Sequence, residues 1–481
     1  MVTFLICLAL LVTAYFTYGR YLERLADVNP DRKTPVERME DGVDYIRLPR
    51  WRVFLIQLLN IAGTGPIFGA ILGACFGPIA FLWITLGGIF FGAMHDFLSG
   101  MMIMRHDGRS LPEIIGIYLG IPARTVVRIF SIVLMVLVGA VFILSPAALL
   151  SNMVPVISKD IWVWIILAYY ILATMLPVDK VIGKVYPVFG VALVAMAAGL
   201  LGVLLTGQYP IPELTNLHNY QLDPEALPIV PTLFITIACG AISGFHATQS
   251  PLMARCITSE KKCRSVFYGS MISESIIALI WAAIAMAFFH GPTELGEQLA
   301  ANGGNAAWAV DVISNTTLGK VGALLALLGV VVAPITSGDT AFRGARLIVA
   351  DIFNIDQRPI LKRFAVCVPL FVVGYAITLI NFDIVWRYFA WANQTLAAVV
   401  LWTIYVWLAR RNSNYWVALV PAVAMTFVVT CFVFVSPQFF GIENRVLAFI
   451  LAGITTIGFG FLANTRVNPK VIIPEEGGLI N

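Results

Sequence analysis

Long apolar runs separated by short polar stretches recur along the whole chain. Thirteen of them, at about 2–18, 52–75, 78–104, 124–152, 161–177, 182–206, 230–254, 265–289, 318–342, 364–380, 385–408, 415–436 and 445–463, reach about 17 residues or more. That is the length an α-helix needs to cross a hydrocarbon core of about 30 Å. The pattern predicts an all-α integral membrane protein with about 13 transmembrane helices. Between them, residues 207–229 and 290–317 form the longer polar loops, and the second carries a short helical pattern around 305–314 that reads as a lid-like element or a plain connector.

Composition agrees. Of 481 residues, 59% are hydrophobic and 12% charged, against about 25% charged in soluble domains. The formal charge of +4 does not point to nucleic acid, because the basic residues sort by topology. The first run, "MVTFLICLALLVTAYFTY", has no basic residue before it and meets Arg20 and Arg24 after it. A cleavable signal has the opposite order, so this run reads as a retained helix with its N-terminus outside. Threading the segments alternately from there leaves every Lys and Arg on the inner side except Lys159, Lys320, Arg387 and Arg445. The positive-inside rule therefore predicts N-out, C-in. The seven cysteines form no CxxC pair and lie mostly in apolar runs, where a free thiol acts as a small hydrophobe.

Helix breakers interrupt three of these segments. They are Ala62-Gly63-Thr64-Gly65-Pro66 in the second, "ACGAISGFHATQSP" (238–251) in the seventh and "APITSGDTAF" (333–342) in the ninth. Pro removes a helix hydrogen bond and Gly lowers helix stability. In hydrocarbon an unpaired backbone group costs several kcal/mol, so unwound backbone survives only inside protein or beside a wet cavity. The first two breaks lie five segments apart. An odd spacing inserts two halves in opposite senses, the inverted-repeat plan of many secondary transporters with a site between discontinuous helices. The domains expected are an additional helix at 1–19, a cytoplasmic loop at 20–50, a first repeat at 51–206, an outer loop at 207–229, a second repeat at 230–410, and two extra helices with a tail at 411–481.

The stretches "NIAGTGPIFGAI" (60–71), "FFGAMHDFLSGMMIMRHDGRSLPEI" (90–114), "CGAISGFHATQSPLMARC" (239–256), "APITSGDTAFRGARLIVAD" (333–351) and "WANQTLAAVVLWTI" (391–404) together resemble the carbon starvation protein A (CstA) family. The resemblance implies a bacterial inner-membrane transporter, associated with peptide uptake and proton-coupled pyruvate uptake. It also implies the five-plus-five fold of the amino acid–polyamine–organocation superfamily.

Half-helix N-termini at the breaks suit an anion, which makes Gly63, Thr64, Gly65, Gly240, Ser243, Gly244 and His246 the candidate substrate-binding residues. Ionisable side chains at membrane depth mark ion or substrate paths. His95 and Asp96 lie about 15 Å from the inner end at Arg105, and Glu274 about the same from Arg264, by helix rise. These three are the candidate proton-coupling residues, although Glu274 could instead pair permanently with Arg255. Thr336 and Ser337, with the backbone of Ala62, could form a sodium site, since oxygen ligands suit hard cations. Asp339 could simply pair with Arg343 four residues on. Gln57, Asn60, Asn393 and Gln394 read mainly as braces of the broken backbone.

The expected activity is ion-coupled import of small carboxylates such as pyruvate, or of short peptides, by alternating access, with H+ or Na+ as coupling ion. No other cofactor is implied, and the partners are the small substrate and membrane lipid. An enzyme would need a nucleophile–base pair or metal motif, and Ser243 with His246 lacks a third member. A channel or a nutrient-sensing receptor is the alternative.

Overall fold

The computed structural model describes residues 1–42, 45–175, 178–353, 355 and 359–467. The tail expected after the last helix lies, from residue 468, outside the described residues, as does the end of the fifth apolar segment at 176–177. Among the described residues there are helices and loops and no strand. The larger helices, in chain order, are α1 (Val2–Leu25), α2 (Arg50–Ala62), α3 (Gly65–Ala74), α4 (Ile79–Arg105), α5 (Ile121–Met153), α6 (Lys159–Met175), α7 (Val178–Leu205), α8 (229–236) and α9 (Gly244–Ala254). They continue with α10 (Glu260–Phe288), α11 (Pro292–Ala301), α12 (Ala306–Phe353), α13 (Ile360–Thr378), α14 (Phe382–Arg410), α15 (Trp416–Val435) and α16 (Arg445–Asn464).

Among the described residues ten helices are long and apolar enough to cross a membrane, or eleven if α2 and α3, bent by 55° at their break, make one span. The apolar segments that do not qualify singly are α6, with 17 described residues, and the pair α8–α9, whose halves are too short. Helix α10 runs through the middle, with 83% of its most apolar stretch buried, against 28% for the peripheral α1.

The two ends of the bundle differ. At one end the Met1 amino group meets Glu213, and Arg445 pairs with Glu225 at 3.0 Å. Glu213 also accepts from the backbone N–H of Val2 and Thr3, and these contacts, the amino group first, hold its carboxyl down to about 2. At the other end the segment after α1 is clasped beneath α4 and α10. Glu260, 2% exposed, accepts from Arg32 at 3.0 Å, Arg105 at 3.5 Å and the N–H of Asn29 at 2.9 Å. Arg105 also donates to Asp27 O, Tyr45 donates to Asp107 O, and Arg255 donates to Gly108 O while stacking on Tyr45. Arg32, Arg105 and Arg255 thus lie at the same end.

Two expectations change. The ninth segment is not unwound at 333–342, since α12 is helical through it. The turn before, 327–331, is already widened to i→i+5 bonding, so the missing N–H of Pro334 falls where the regular ladder is interrupted anyway. Gly338 serves packing instead, because a Cβ there would lie 2.0 Å from the Tyr170 hydroxyl oxygen. The kink in α12 lies earlier, at Gly319. The 290–317 loop is a pair of helices, α11 and the start of α12, rather than one short element.

Candidate functional site

The two remaining breaks touch. Gly63 holds φ +38°, ψ −138°, which only glycine adopts easily, and a Cβ there would collide with Phe142. Immediately beyond it, α3 carries Gly65, Gly69 and Gly73 at four-residue spacing. This small-residue face lies against Cys239, Thr236 and Ile237 of the second break. From the other side Gly92 of α4 lies so close to Ala241 that a Cβ would sit 2.2 Å from its carbonyl oxygen. Both unwound stretches are thereby sealed inside protein.

Their freed backbone groups find partners from neighbouring helices. Trp83 donates to Ile237 O at 3.0 Å, and Gln394 donates to Phe234 O at 3.0 Å. Asn393 Oδ1 accepts from the N–H of Phe245 at 2.8 Å and from the Ser243 hydroxyl at 3.0 Å. Gly244 packs onto the backbone of Asn393 and Ala397. Ser243 and Gly244, expected to hold substrate, therefore face α14, and Asn393 caps α9 where an anion was expected. In the first break the Ser337 hydroxyl donates to Leu59 O at 2.9 Å, and Thr336 donates to Ala333 O at 2.7 Å. Of the two hydroxyls only that of Ser337 reaches α2, at Leu59 rather than Ala62, and that of Thr336 turns back onto its own helix.

Beside the breaks runs a line of four titratable side chains, all at 0% exposure. Asp96 Oδ1 lies 2.8 Å from His95 Nδ1, and Asp96 Oδ2 lies 2.9 Å from His246 Nδ1. The far side of the His246 ring, Nε2, lies 3.4 Å from Glu274 Oε2 without hydrogen-bond alignment. Three helices, α4, α9 and α10, thus contribute one connected chain. Arg255 is not the partner of Glu274, being held at Gly108 and Tyr45. Asp339 does pair with Arg343, at 3.4 Å, and also accepts from Tyr186.

Several buried polar atoms here have no hydrogen-bond partner among the described residues. They include both side-chain polar atoms of Gln57 and Asn60, the hydroxyl of Thr64, His95 Nε2 and both oxygens of Glu274. In a low-dielectric interior each such atom costs roughly 1–3 kcal/mol unless a water, ion or ligand meets it. Gln57 and Asn60 thus do not brace the backbone, whereas Asn393 and Gln394 do. Cys239 was not singled out in the sequence. Its thiol, a His246 ring nitrogen and a Glu274 oxygen lie within 4.8 Å of one another, and Asn393 Nδ2 donates to it at 3.5 Å. Its place immediately before Gly240 in the break was the available signal.

Cavities flank this core. A volume of about 460 Å³ opens at one end, between α3, α8, α14 and the polar loops. A second, of about 210 Å³, lies between α9 and α12 on the side of Arg255. The four-residue chain lines neither of them.

The family model described as carbon starvation protein CstA matches residues 1–158 and 144–318. An uncharacterized membrane protein of Haemophilus influenzae is 41% identical over 352 residues, covering 63% of this chain and 95% of its own. The peptide transporter CstA of Escherichia coli is 24% identical, covering 86% and 78% respectively. Among solved structures, a manganese transporter of Eremococcus coleocola matches with TM-score 0.51 and 12% identity over 89% of this chain and 99% of its own. MhsT in complex with L-phenylalanine matches with TM-score 0.54 and 14% identity over 87% and 99%. These structures share the fold.

Proposed function

The chain belongs to the carbon starvation protein CstA family, and on that premise we propose that it is a secondary active transporter importing small carboxylates such as pyruvate, or short peptides. It is a multi-pass membrane protein, and we place it in the bacterial inner membrane with thirteen spans, N-out and C-in. Two inverted repeats, 51–206 and 230–410, form its core. The observation that carries the reading is the contact of two discontinuous helices at Gly65 and Cys239 beside a fully buried charged chain.

The substrate sits at the breaks, within reach of the unpartnered groups of Thr64, Asn60 and Gln57, with Gly63, Gly65 and Gly240 allowing close backbone approach. The coupling ion is the proton. Nδ1 of each histidine faces Asp96, and the neutral ring has one donor and one acceptor nitrogen. When His246 donates to Asp96, its Nε2 becomes the acceptor, so a contact with Glu274 requires one more proton on the pair. That proton is what His95, Asp96, His246 and Glu274 carry during the cycle. A sodium ion at Thr336 and Ser337 is the second coupling route, supported by the closeness of Ser337 to Leu59 O. Alternating access then opens the cavities in turn.

Uptake of labelled pyruvate and of a labelled dipeptide into proteoliposomes tests this, with an inward proton gradient and, separately, an inward sodium gradient. Proton-driven accumulation that is lost in Asp96→Asn and Glu274→Gln is expected. Downhill flux alone would indicate a channel, and no flux of either substrate would remove the substrate assignment.

A further inference from the structure

The cavity at the basic end is not part of the site between the breaks, and its lining has a chemistry of its own. Its volume, about 210 Å³, is below the roughly 300–1,000 Å³ of pockets for drug-sized ligands. Three functional groups of different kind line it. Arg343, 5% exposed, has one edge tied to Ala173 O at 3.2 Å and Asp339 at 3.4 Å, while its Nε has no partner among the described residues. Gln249, 1% exposed, gives its Nε2 to Thr248 at 3.1 Å and leaves Oε1 without a partner. Asp351 is exposed, two turns further along α12. The remaining charged group in the lining, Arg255, is held at Gly108 and Tyr45.

We propose that this cavity is a second, inner binding site for a dipeptide-sized zwitterion, with its carboxylate at Arg343, an N–H at Gln249 and its ammonium at Asp351. The assignment rests on the transporter reading above and narrows its choice of substrate. Arg343 Nε is a buried, pre-held donor for a carboxylate. Gln249 Oε1 is a buried acceptor, which a ligand satisfies with an N–H or O–H. Pyruvate brings neither and would leave that oxygen to water, whereas a directly bound donor fixes the ligand there. A peptide brings both an amide N–H and an ammonium. The order of groups, buried donor and acceptor inside and carboxylate at the mouth, orients the ligand with its amino end outward. Gln249 lies three residues beyond His246 on α9, which places this cavity about one turn along the same helix from the charged chain.

The test is calorimetric binding to the full-length purified protein in nanodiscs. The probes are alanyl-alanine, N-acetyl-alanyl-alanine and pyruvate. Alanyl-alanine should bind, and acetylation, which removes the ammonium, should weaken it about fivefold, as expected for a partly solvated ion pair. In Asp351→Asn the free dipeptide should weaken by the same factor, and acetylation should then cost nothing further. Gln249→Leu should weaken the dipeptide and leave pyruvate unchanged. Arg343 also holds Asp339, so its variants are not used. No binding of alanyl-alanine by the wild type would overturn the proposal. So would an acetylation penalty that persists in Asp351→Asn, or equal effects of Gln249→Leu on dipeptide and pyruvate. Failure of ion-driven accumulation is read in the separate uptake assay, and it would count against the transporter reading without altering these binding outcomes.

Discussion

Gly65→Ala is the sharpest probe of the contact between the two breaks. A Cβ on residue 65 would lie 2.4 Å from both Cβ and Sγ of Cys239. Carbon atoms rest at about 3.5–4.0 Å, so α3 and the second break must separate by more than about 1 Å. The seam has little room to yield, because Gly69 and Gly73 hold the same face of α3 against Thr236 and Ile237. Overpacking of this kind costs about 1–3 kcal/mol, and we expect the upper half of that range, since the obstacle includes a Cβ fixed to the backbone. Cys239→Gly removes both colliding atoms. The double variant Gly65→Ala/Cys239→Gly should recover most of the loss caused by Gly65→Ala, a coupling of about 1–2 kcal/mol, within the range found for residues in contact. Thermal melting in detergent measures the stability part, and proteoliposome uptake measures the functional part. A Gly65→Ala protein that melts and transports like wild type would refute the reasoning. Equal damage with and without Cys239→Gly would place the effect elsewhere.

Asn393→Leu orphans the Phe245 N–H and the Ser243 hydroxyl together, at about 1–3 kcal/mol for each buried donor, and should lower the melting temperature and transport in parallel. Glu274→Gln should abolish accumulation driven by protons while leaving exchange of internal for external substrate, measured with label on one side. Glu260→Gln weakens the buried partner of Arg32 and Arg105. Losing one member of a buried ion pair costs about 3–5 kcal/mol, which should show as faster proteolysis of the segment around residues 26–40. Ser337→Ala should leave proton-driven uptake intact and remove any stimulation by sodium, read from uptake rates at fixed pH.

The elements most legible in the sequence were those whose cause is local. Apolar length set the helices, and Gly-Thr-Gly-Pro set the first break, because glycine at 63 and proline at 66 leave little choice of backbone. The charged residues at depth, His95, Asp96 and Glu274, stood out because their burial in an apolar helix needs a reason. That Asp96 and Glu274 meet on His246 was not legible, since it depends on how α4, α9 and α10 rotate against one another. The ninth segment misled for a related reason. Pro334 and Gly338 carry the same local signal as the other breakers, and only the widened turn at 327–331 and the hydroxyl of Tyr170 turn them into packing features. Asn393 could be read as a brace, but that it caps α9 at Phe245 requires knowing that α14 lies against the break.

The placement of the cavities bears on how the two discontinuous helices work together. The larger cavity is lined by Leu72 and Cys75 from α3, the second half of the first broken helix, and by Ile235 and Thr236 from α8, the first half of the second. The smaller cavity is lined by Thr248, Gln249 and Pro251 from α9, the second half of the second broken helix. A later half of one helix and an earlier half of the other therefore face the same end of the molecule. The inverted repeats proposed above require that relation. The buried chain of Asp96, His246 and Glu274 joins α4, α9 and α10 and lines neither cavity. In the transport cycle proposed above, rocking that moves α9 against α10 changes the 3.4 Å gap between His246 and Glu274. That gap is short enough to close into a hydrogen bond and long enough to be open here. In that proposed cycle, proton transfer across it and the choice of open cavity would be tied to the same movement.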